Sequence, residues 1–441
     1  MLRVVIFGVG KSSSYLIKKL QDISSTISLH ITLADKNWNQ LPENCKNHKD
    51  TTYKLVDINN SDETKNLIVS QNLVISMLPA HLHINIAKLC LKNKKELLTA
   101  SYISEEMQQL DTQARENGLL FLNEMGVDPG LDHMSAMSII DTLKTKEATI
   151  NSFYSHTGGL ISKYTPNNWN YKFTWNPKNV ITAGSDGAVF LKNSEKKHLD
   201  YNEIFSEIIP VKINNKIYDS YANRNSLKYI KKYNLEGINN LYRGTLRHHN
   251  YCYAWNVFVQ LGMTNDVHLL TFNEDATRKD FITYFFNTNI LTETSFCKKN
   301  NITKENSLFK KFDLLGFFNN DKTLTINKGT AADILLSILL EEWKMEKNDK
   351  DILLMQHQIN YSIDGINYKT KSEISILGED NQYTAMAKTV GAPMFETALL
   401  MLHNKIELTG VHIPTTPVIY RPVLDKLKKH GLNFIETTTQ Y

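Results

Sequence analysis

A pair of glycines stands where a strand should give way to a helix. Leu2 to Phe7 is a near-continuous apolar, β-branched run. Gly8-Val9-Gly10 and Lys11-Ser12-Ser13-Ser14 follow it, and then Tyr15, Leu16, Ile17 and Leu20 at helical spacing. Gly8 permits a tight turn, and Gly10 lets the backbone approach a pyrophosphate that the helix N-terminus can hold. Lys11 and Ser12 complete this expected phosphate turn of a dinucleotide site. The third glycine of the fingerprint is replaced by Ser13, which is small enough for close helix–strand packing. A P-loop fails, because its leading glycine would fall at Val5, inside the strand. A tight strand–helix turn with no ligand is the plain alternative.

Asp35 ends a second apolar run, Leu29 to Ala34. An acid about 20 positions beyond the glycines suits the ribose hydroxyls of NAD and repels the extra phosphate of NADP. NAD is therefore expected, with NADP as the alternative; a helix cap is the structural reading of the same residue.

These residues need a scaffold. Thr52 to Val56 reads as a third strand ending at Asp57, a helix follows over 61–70, and Leu73 to Met77 reads as a fourth strand. Strands alternating with helices imply an α/β fold with a doubly wound parallel sheet, which binds ligands outside the carboxyl ends of its strands. Those ends carry Gly8 to Ser12, Asp35, Asp57, Ser76 to Pro79, Ser101-Tyr102 and Gly126 to Pro129. They are expected to converge on one cleft, with Asp57 and Ser76 on the cofactor side.

Bulk properties exclude other classes. The chain has 441 residues, 41% hydrophobic and 22% charged, with a formal net charge of +4. That balance is globular, gives no argument for nucleic acid, and suits an anionic small substrate. The four cysteines, Cys45, Cys90, Cys252 and Cys297, form no CxxC pair and point to a reducing compartment. No signal peptide or membrane-spanning run is evident, so a cytoplasmic location without membrane partners is expected.

Two segments carry a family resemblance: Leu98-Thr99-Ala100-Ser101-Tyr102-Ile103-Ser104, and Asn123-Glu124-Met125-Gly126-Val127-Asp128-Pro129-Gly130-Leu131-Asp132-His133. It continues at Thr157-Gly158-Gly159-Leu160, Tyr171 to Trp175, Asn223 to Ser226, Tyr242 to Arg247, Ala385 to Gly391 and Gly410-Val411-His412. Together they resemble the saccharopine dehydrogenase family, of the type that forms glutamate, over nearly the whole chain.

The resemblance implies a Rossmann domain over 1–130, with 390–441 packing back on it. It implies a substrate and dimerisation α+β domain over 131–220 and 326–389, a helical insertion over 221–325, and a homodimer. Saccharopine would be the substrate and NAD or NADP the oxidant. Arg224 and Arg247 match substrate-binding arginines, whose planar forks bind carboxylates bidentately. Thr245, Leu246, Ser101 and Tyr102 match further substrate contacts. Val127, Asp128 and Pro129 match a loop beside the nicotinamide, and Trp175 a segment near the cofactor. Asp128 could bind the substrate amine or relay a proton, and Tyr102 could donate its hydroxyl; these two are the catalytic candidates. A thiol common in the family before the Gly-Gly pair is replaced by Thr157. A carboxynorspermidine synthase-like reductase, or a cofactor-binding protein without turnover, remains as an alternative.

His81 and His83 have ligand-like spacing, but without acidic or cysteine partners they read as the start of a helix, and no metal site is expected. Asp132-His133 reads as the opening of a long helix, and Ser152 to Ser155 as the first strand of the second domain. Thr330 to Asp333 reads as a capping box, with an apolar stripe of Ile334, Leu335, Ile338, Leu339 and Trp343 behind it. Asp351 to Tyr361 and Glu373 to Leu377 flank Gly365 as a hairpin. A helix is expected from Tyr383 to about Asn404, and a last one after Pro422.

Overall fold

The computed structural model describes residues 1–286 and 291–441. The chain divides into two units. One comprises Met1–Ile150, Lys232–Asn234 and Lys350–Tyr441; the other comprises Asn151–Lys231 and Leu235–Asp349.

The first unit holds β1 (Leu2–Phe7), β2 (Leu29–Asp35), β3 (Thr51–Leu55), β4 (Leu73–Ser76), β5 (Glu96–Thr99) and β6 (Leu120–Leu122). With the strand Gly410–His412 they form a seven-stranded sheet in the order Gly410–His412, β6, β5, β4, β1, β2, β3. Every pairing in it is parallel. Val4, Val5, Ile6 and Phe7 are fully buried. This is why the run is apolar throughout rather than alternating: helices cover both faces. The strand order reverses between β1 and β4, which opens a crevice at their carboxyl ends. Gly8 shapes that point. Its φ is +97°, and a Cβ there would lie 2.8 Å from the carbonyl carbon and oxygen of Met77, just past β4.

The helix Ser14–Ser24 follows the glycine turn and packs against the helix Ala385–Leu402, which is buried along almost its whole length. The latter helix begins where Ala385 N–H and Met386 N–H donate to the buried carboxylate of Asp351, at 2.6 and 3.0 Å. The expected hairpin is present as Asp351–Ile363 and Ile366–Leu377. It turns on Asp364 and Gly365, both at positive φ, the pairing a two-residue hairpin turn requires. Ile435–Gln440 adds a third antiparallel strand. The final helix spans Pro417–Leu427, not the stretch after Pro422. Pro417 occupies the first turn, where a missing N–H costs nothing, and Pro422 is carried inside the helix.

The second unit is built on a mixed sheet. Ile208–Ile213, Lys216–Ala222 and Asn240–His248 run antiparallel in that order. Thr149–Ile161, longer than the four residues expected, pairs in parallel with Asn240–His248. The helices Tyr251–Leu261, Ser307–Leu314 and Ala331–Glu342 pack with Trp169, Tyr171, Phe173, Trp255, Phe258 and Trp343 into one aromatic core. The capping box forms: Asp333 N–H donates to Thr330 Oγ1, and Thr330 N–H to Asp333 Oδ2. The apolar stripe behind it is buried.

Gly8→Ala is expected to lower the unfolding free energy by about 2–4 kcal/mol, since the new methyl group must push backbone aside in a strained conformation. A urea titration checks this; an unchanged midpoint would show that the β1–β4 junction yields freely.

Candidate active site

In the first unit the glycine turn is fastened to its neighbours. Gly8 N–H donates to the Ala34 carbonyl at 2.9 Å, and Val9 N–H to Asp35 Oδ2 at 2.5 Å. Ser13 Oγ donates to the Gly10 carbonyl at 2.8 Å, closing the turn that a third glycine would otherwise shape. A Cβ on Gly10 would meet no protein atom within 4 Å. The fold itself therefore does not demand glycine there, whereas a pyrophosphate lying against the backbone does. The turn, the helix N-terminus behind it and the crevice together fit a dinucleotide. Lys11 and Ser12 follow Gly10, half-buried. Asp57 is exposed, and its carboxylate accepts from Asn59 N–H at 3.0 Å, forming a turn ahead of the helix Ser61–Val69.

Past β5, the Tyr102 hydroxyl donates to Asp128 Oδ1 at 2.6 Å, so the two catalytic candidates are hydrogen-bonded to each other. Asp128 sits in a tight loop between β6 and the helix Leu131–Lys144. Leu131 N–H and Asp132 N–H donate back to the Gly126 and Val127 carbonyls. Val127 and Pro129 are buried in that loop, while Asp128 keeps partial access to solvent.

Two features were not read from the sequence. The buried carboxylate of Glu124 accepts from Ile103 N–H at 3.0 Å and bonds His133 Nε2 at 2.7 Å. His133 Nδ1 bonds the Tyr233 hydroxyl at 2.5 Å. Burial pushes the Glu124 carboxyl up, but His133, Lys232 and the Ile103 N–H outweigh it and hold the group below the ordinary carboxylate value. The second feature is His83, whose imidazole bridges Ser76 Oγ and Ser101 Oγ at 2.8 Å each. Burial, with some help from His81, pushes His83 down to about 4. Ser76, expected beside the cofactor, is fully buried with its hydroxyl turned to this histidine. Its only sequence signal was a histidine opening a helix seven residues beyond a strand-end serine. His81 is exposed. Among the described residues no group of three or more His, Cys, Asp or Glu side chains gathers as metal ligands.

In the second unit Arg247 is 3% exposed. Its guanidinium lies 5.2–5.4 Å from the ring centres of Tyr171, Tyr221 and Tyr251. It donates to the Leu246 carbonyl and to the Tyr221 hydroxyl, and Nε has no partner. Burial pushes all three phenols up, so they remain neutral and form no ion pair with it. Thr245 and Leu246 precede it on the same strand. Arg224 is different: its side chain is 61% exposed, its φ is +52°, and Asp186 lies 3.6 Å away. Trp175 is half-buried against the aromatic core, and the Thr157 hydroxyl is buried without a hydrogen-bond partner.

A parallel sheet in this order, with a glycine turn at its reversal point, defines a Rossmann-type dinucleotide-binding protein. Residues 4–122 match the saccharopine dehydrogenase NADP binding domain, and residues 126–432 match the saccharopine dehydrogenase C-terminal domain. The chain belongs to the saccharopine dehydrogenase family. It is 29% identical to the mitochondrial alpha-aminoadipic semialdehyde synthase of Mus musculus over 99% of this chain, spanning 48%, about half, of that longer relative. It is 27% identical to the saccharopine dehydrogenase [NADP(+), L-glutamate-forming] of Pyricularia oryzae, over 95% of this chain and 96% of that one. The fold is that of apo saccharopine dehydrogenase (L-Glu forming) from Saccharomyces cerevisiae, with a TM-score of 0.88, 24% identity and full coverage of both chains.

His83 gives a pH test. Its folded pKa lies below the ordinary value of 6.5, so the unfolded chain takes up the proton first as pH falls. Its contribution is fully present above pH 6.5 and is lost as pH drops toward 4. Between pH 7 and pH 5 the wild-type unfolding free energy is expected to fall by about 2 kcal/mol more than that of His83→Gln. Equal losses in urea titrations would mean that the histidine titrates normally.

Proposed function

We propose that the protein is an NAD(P)-dependent oxidoreductase that interconverts saccharopine with L-glutamate and 2-aminoadipate 6-semialdehyde. When bound, a nicotinamide would supply the hydride acceptor for the carbon, bonded to the secondary amine, that becomes the aldehyde. Water then splits the resulting imine. Arg247 is the observation that carries the reading. A buried cation needs a counter-charge; the buried Asp219 opposite it on the neighbouring strand pairs with His249, and among the described residues no acid is in ion-pair contact with the Arg247 guanidinium. A substrate with three carboxylates supplies that charge, and a guanidinium pinned between aromatic rings loses little freedom on binding it. Arg224, Thr245 and Leu246 are assigned to the same substrate. The Tyr102–Asp128 pair is assigned to the substrate amine, where an acceptor held by a phenol can take or return a proton.

For the cofactor we favour NAD. The Pyricularia oryzae relative is named for NADP(+), but Asp35 places a carboxylate at the end of β2, where an extra ribose phosphate would be repelled. Four buried, unpaired thiols support a reducing, cytoplasmic setting. A homodimer is part of the same reading. No helix among the described residues is long and apolar enough to cross a membrane.

The test is reduced-nicotinamide absorbance with purified protein, saccharopine and each cofactor. Turnover is expected with saccharopine, and Arg247→Ala should lower kcat/KM by roughly 10²-fold. An unaltered kcat/KM would remove Arg247 from the site, and absence of any turnover would remove saccharopine. Asp35→Ala is expected to shift the ratio of kcat/KM for NAD over NADP toward NADP; a constant ratio would leave Asp35 as a fastener of the glycine turn alone.

A further inference from the structure

We propose that Ser76, His83 and Ser101 form a one-directional hydrogen-bond relay, which commits the Ser101 hydroxyl to donate to an anionic oxygen of the substrate. His83 is the positioning residue, acting through Ser101. The inference rests on the assignment of Ser101 to the substrate.

The argument is a count of protons. A neutral imidazole has one donor and one acceptor nitrogen. His83 Nδ1 faces Ser76 Oγ and Nε2 faces Ser101 Oγ, both at 2.8 Å, which leaves two arrangements. Suppose Nδ1 carried the proton. It would donate to Ser76, and the Ser76 hydroxyl proton would then need an acceptor elsewhere. Ser76 is 0% exposed, and among the described residues its hydroxyl has no partner except this imidazole. A buried hydroxyl proton without an acceptor is disfavoured, so this arrangement loses. In the other arrangement the Ser76 O–H donates to Nδ1, and the Nε2–H donates to Ser101 Oγ. Every buried proton is then placed. Ser101, which is only partly buried, retains its own proton with its oxygen already accepting. One lone pair of its oxygen is taken by Nε2–H, and its hydroxyl proton is held free for the substrate, for which a carboxylate is the best acceptor. Burial keeps His83 neutral at physiological pH, so the direction does not reverse there. Bonds that polarise one another in series also strengthen the last donor.

The same elements explain why the relay can exist. Ser76 ends β4, Ser101 follows β5, and His83 opens the helix His83–Lys92 that connects these two adjacent strands. The imidazole sits at the top of its own crossover and reaches both strand ends.

Two measurements test it on the full-length protein. The first is 15N NMR with ring-labelled histidine, assigning His83 by the signal lost in His83→Ala. Protonated Nε2 and bare Nδ1 are expected, and protonated Nδ1 overturns the relay whatever the substrate is. The second is the saccharopine KM at saturating cofactor for Ser101→Ala, His83→Ala and the double variant. Each single change is expected to raise KM by about tenfold or more, as loss of a hydrogen bond to a charged group does. The double variant should be no worse than the worse single one, because both remove the same bond. Multiplying effects, or a His83→Ala KM within about twofold of wild type, would overturn the proposal at His83. An unchanged KM in Ser101→Ala would overturn it at Ser101. If His83→Ala fails to fold, Ser76→Ala carries the same expectation. No turnover of saccharopine in the wild type counts against the substrate, whereas the wrong tautomer counts against the relay, so the two failures are told apart.

Discussion

The loops beside the candidate site depend on the buried carboxylate of Glu124. Glu124 is 1% exposed and sits at a φ of +58°, a conformation uncommon for a residue with a side chain, and its partners hold it there. The hold is chemical. A carboxylate taken out of water must fill its lone pairs, and Glu124 does so with the Ile103 N–H and with His133, while Lys232 adds charge at 3.9 Å. Those partners come from the loop after β5, the helix after β6 and a segment about a hundred residues further along. The Ser101-Tyr102 loop and the Val127-Asp128-Pro129 loop are thereby set against one another, and the Tyr102–Asp128 bond becomes possible.

The second unit handles charge in the opposite way. Arg247 is surrounded by rings rather than acids, with cation–π attraction replacing ion pairing. An acid in contact would have neutralised the guanidinium and left little affinity for an anion. Aromatic faces stabilise it and leave the full charge available. The surrounding tyrosines belong to a stacked aromatic core, so the guanidinium has a fixed orientation.

Much of this was legible in the chain because it rests on local rules. The strands β1, β2 and β4 follow from apolar runs, the hairpin from the runs that flank Gly365, and the helix Ala331–Glu342 from its capping box. The glycine turn and Asp35 were legible as chemistry because backbone freedom and charge at strand ends have few other uses. Ser101 and Asp128 were legible as strand-end residues but gained roles only through family resemblance, and Arg247 was singled out by resemblance alone, since a serine, an Asp-Pro turn and an arginine are each commonplace. His83 and Glu124 stayed hidden for a physical reason. Their importance lies in partners brought together by strand order, and no spacing along the chain encodes that Ser76 and Ser101 end neighbouring strands. Pro422 reads as a boundary in the sequence, but the earlier Pro417 already serves as one and the helix continues through Pro422.

The seven-stranded sheet borrows its last strand from far away. Gly410–His412 pairs with Leu120–Leu122, so roughly 290 residues of chain separate two neighbours in one sheet. At about 5–20 residues per second, a ribosome needs tens of seconds to make that stretch. Throughout that interval β6 is a bare edge, with backbone donors and acceptors open to any extended peptide. The helix Ala385–Leu402, which covers Ser14–Ser24, arrives just as late. The nucleotide-binding unit is thus begun before the second unit and closed only after it.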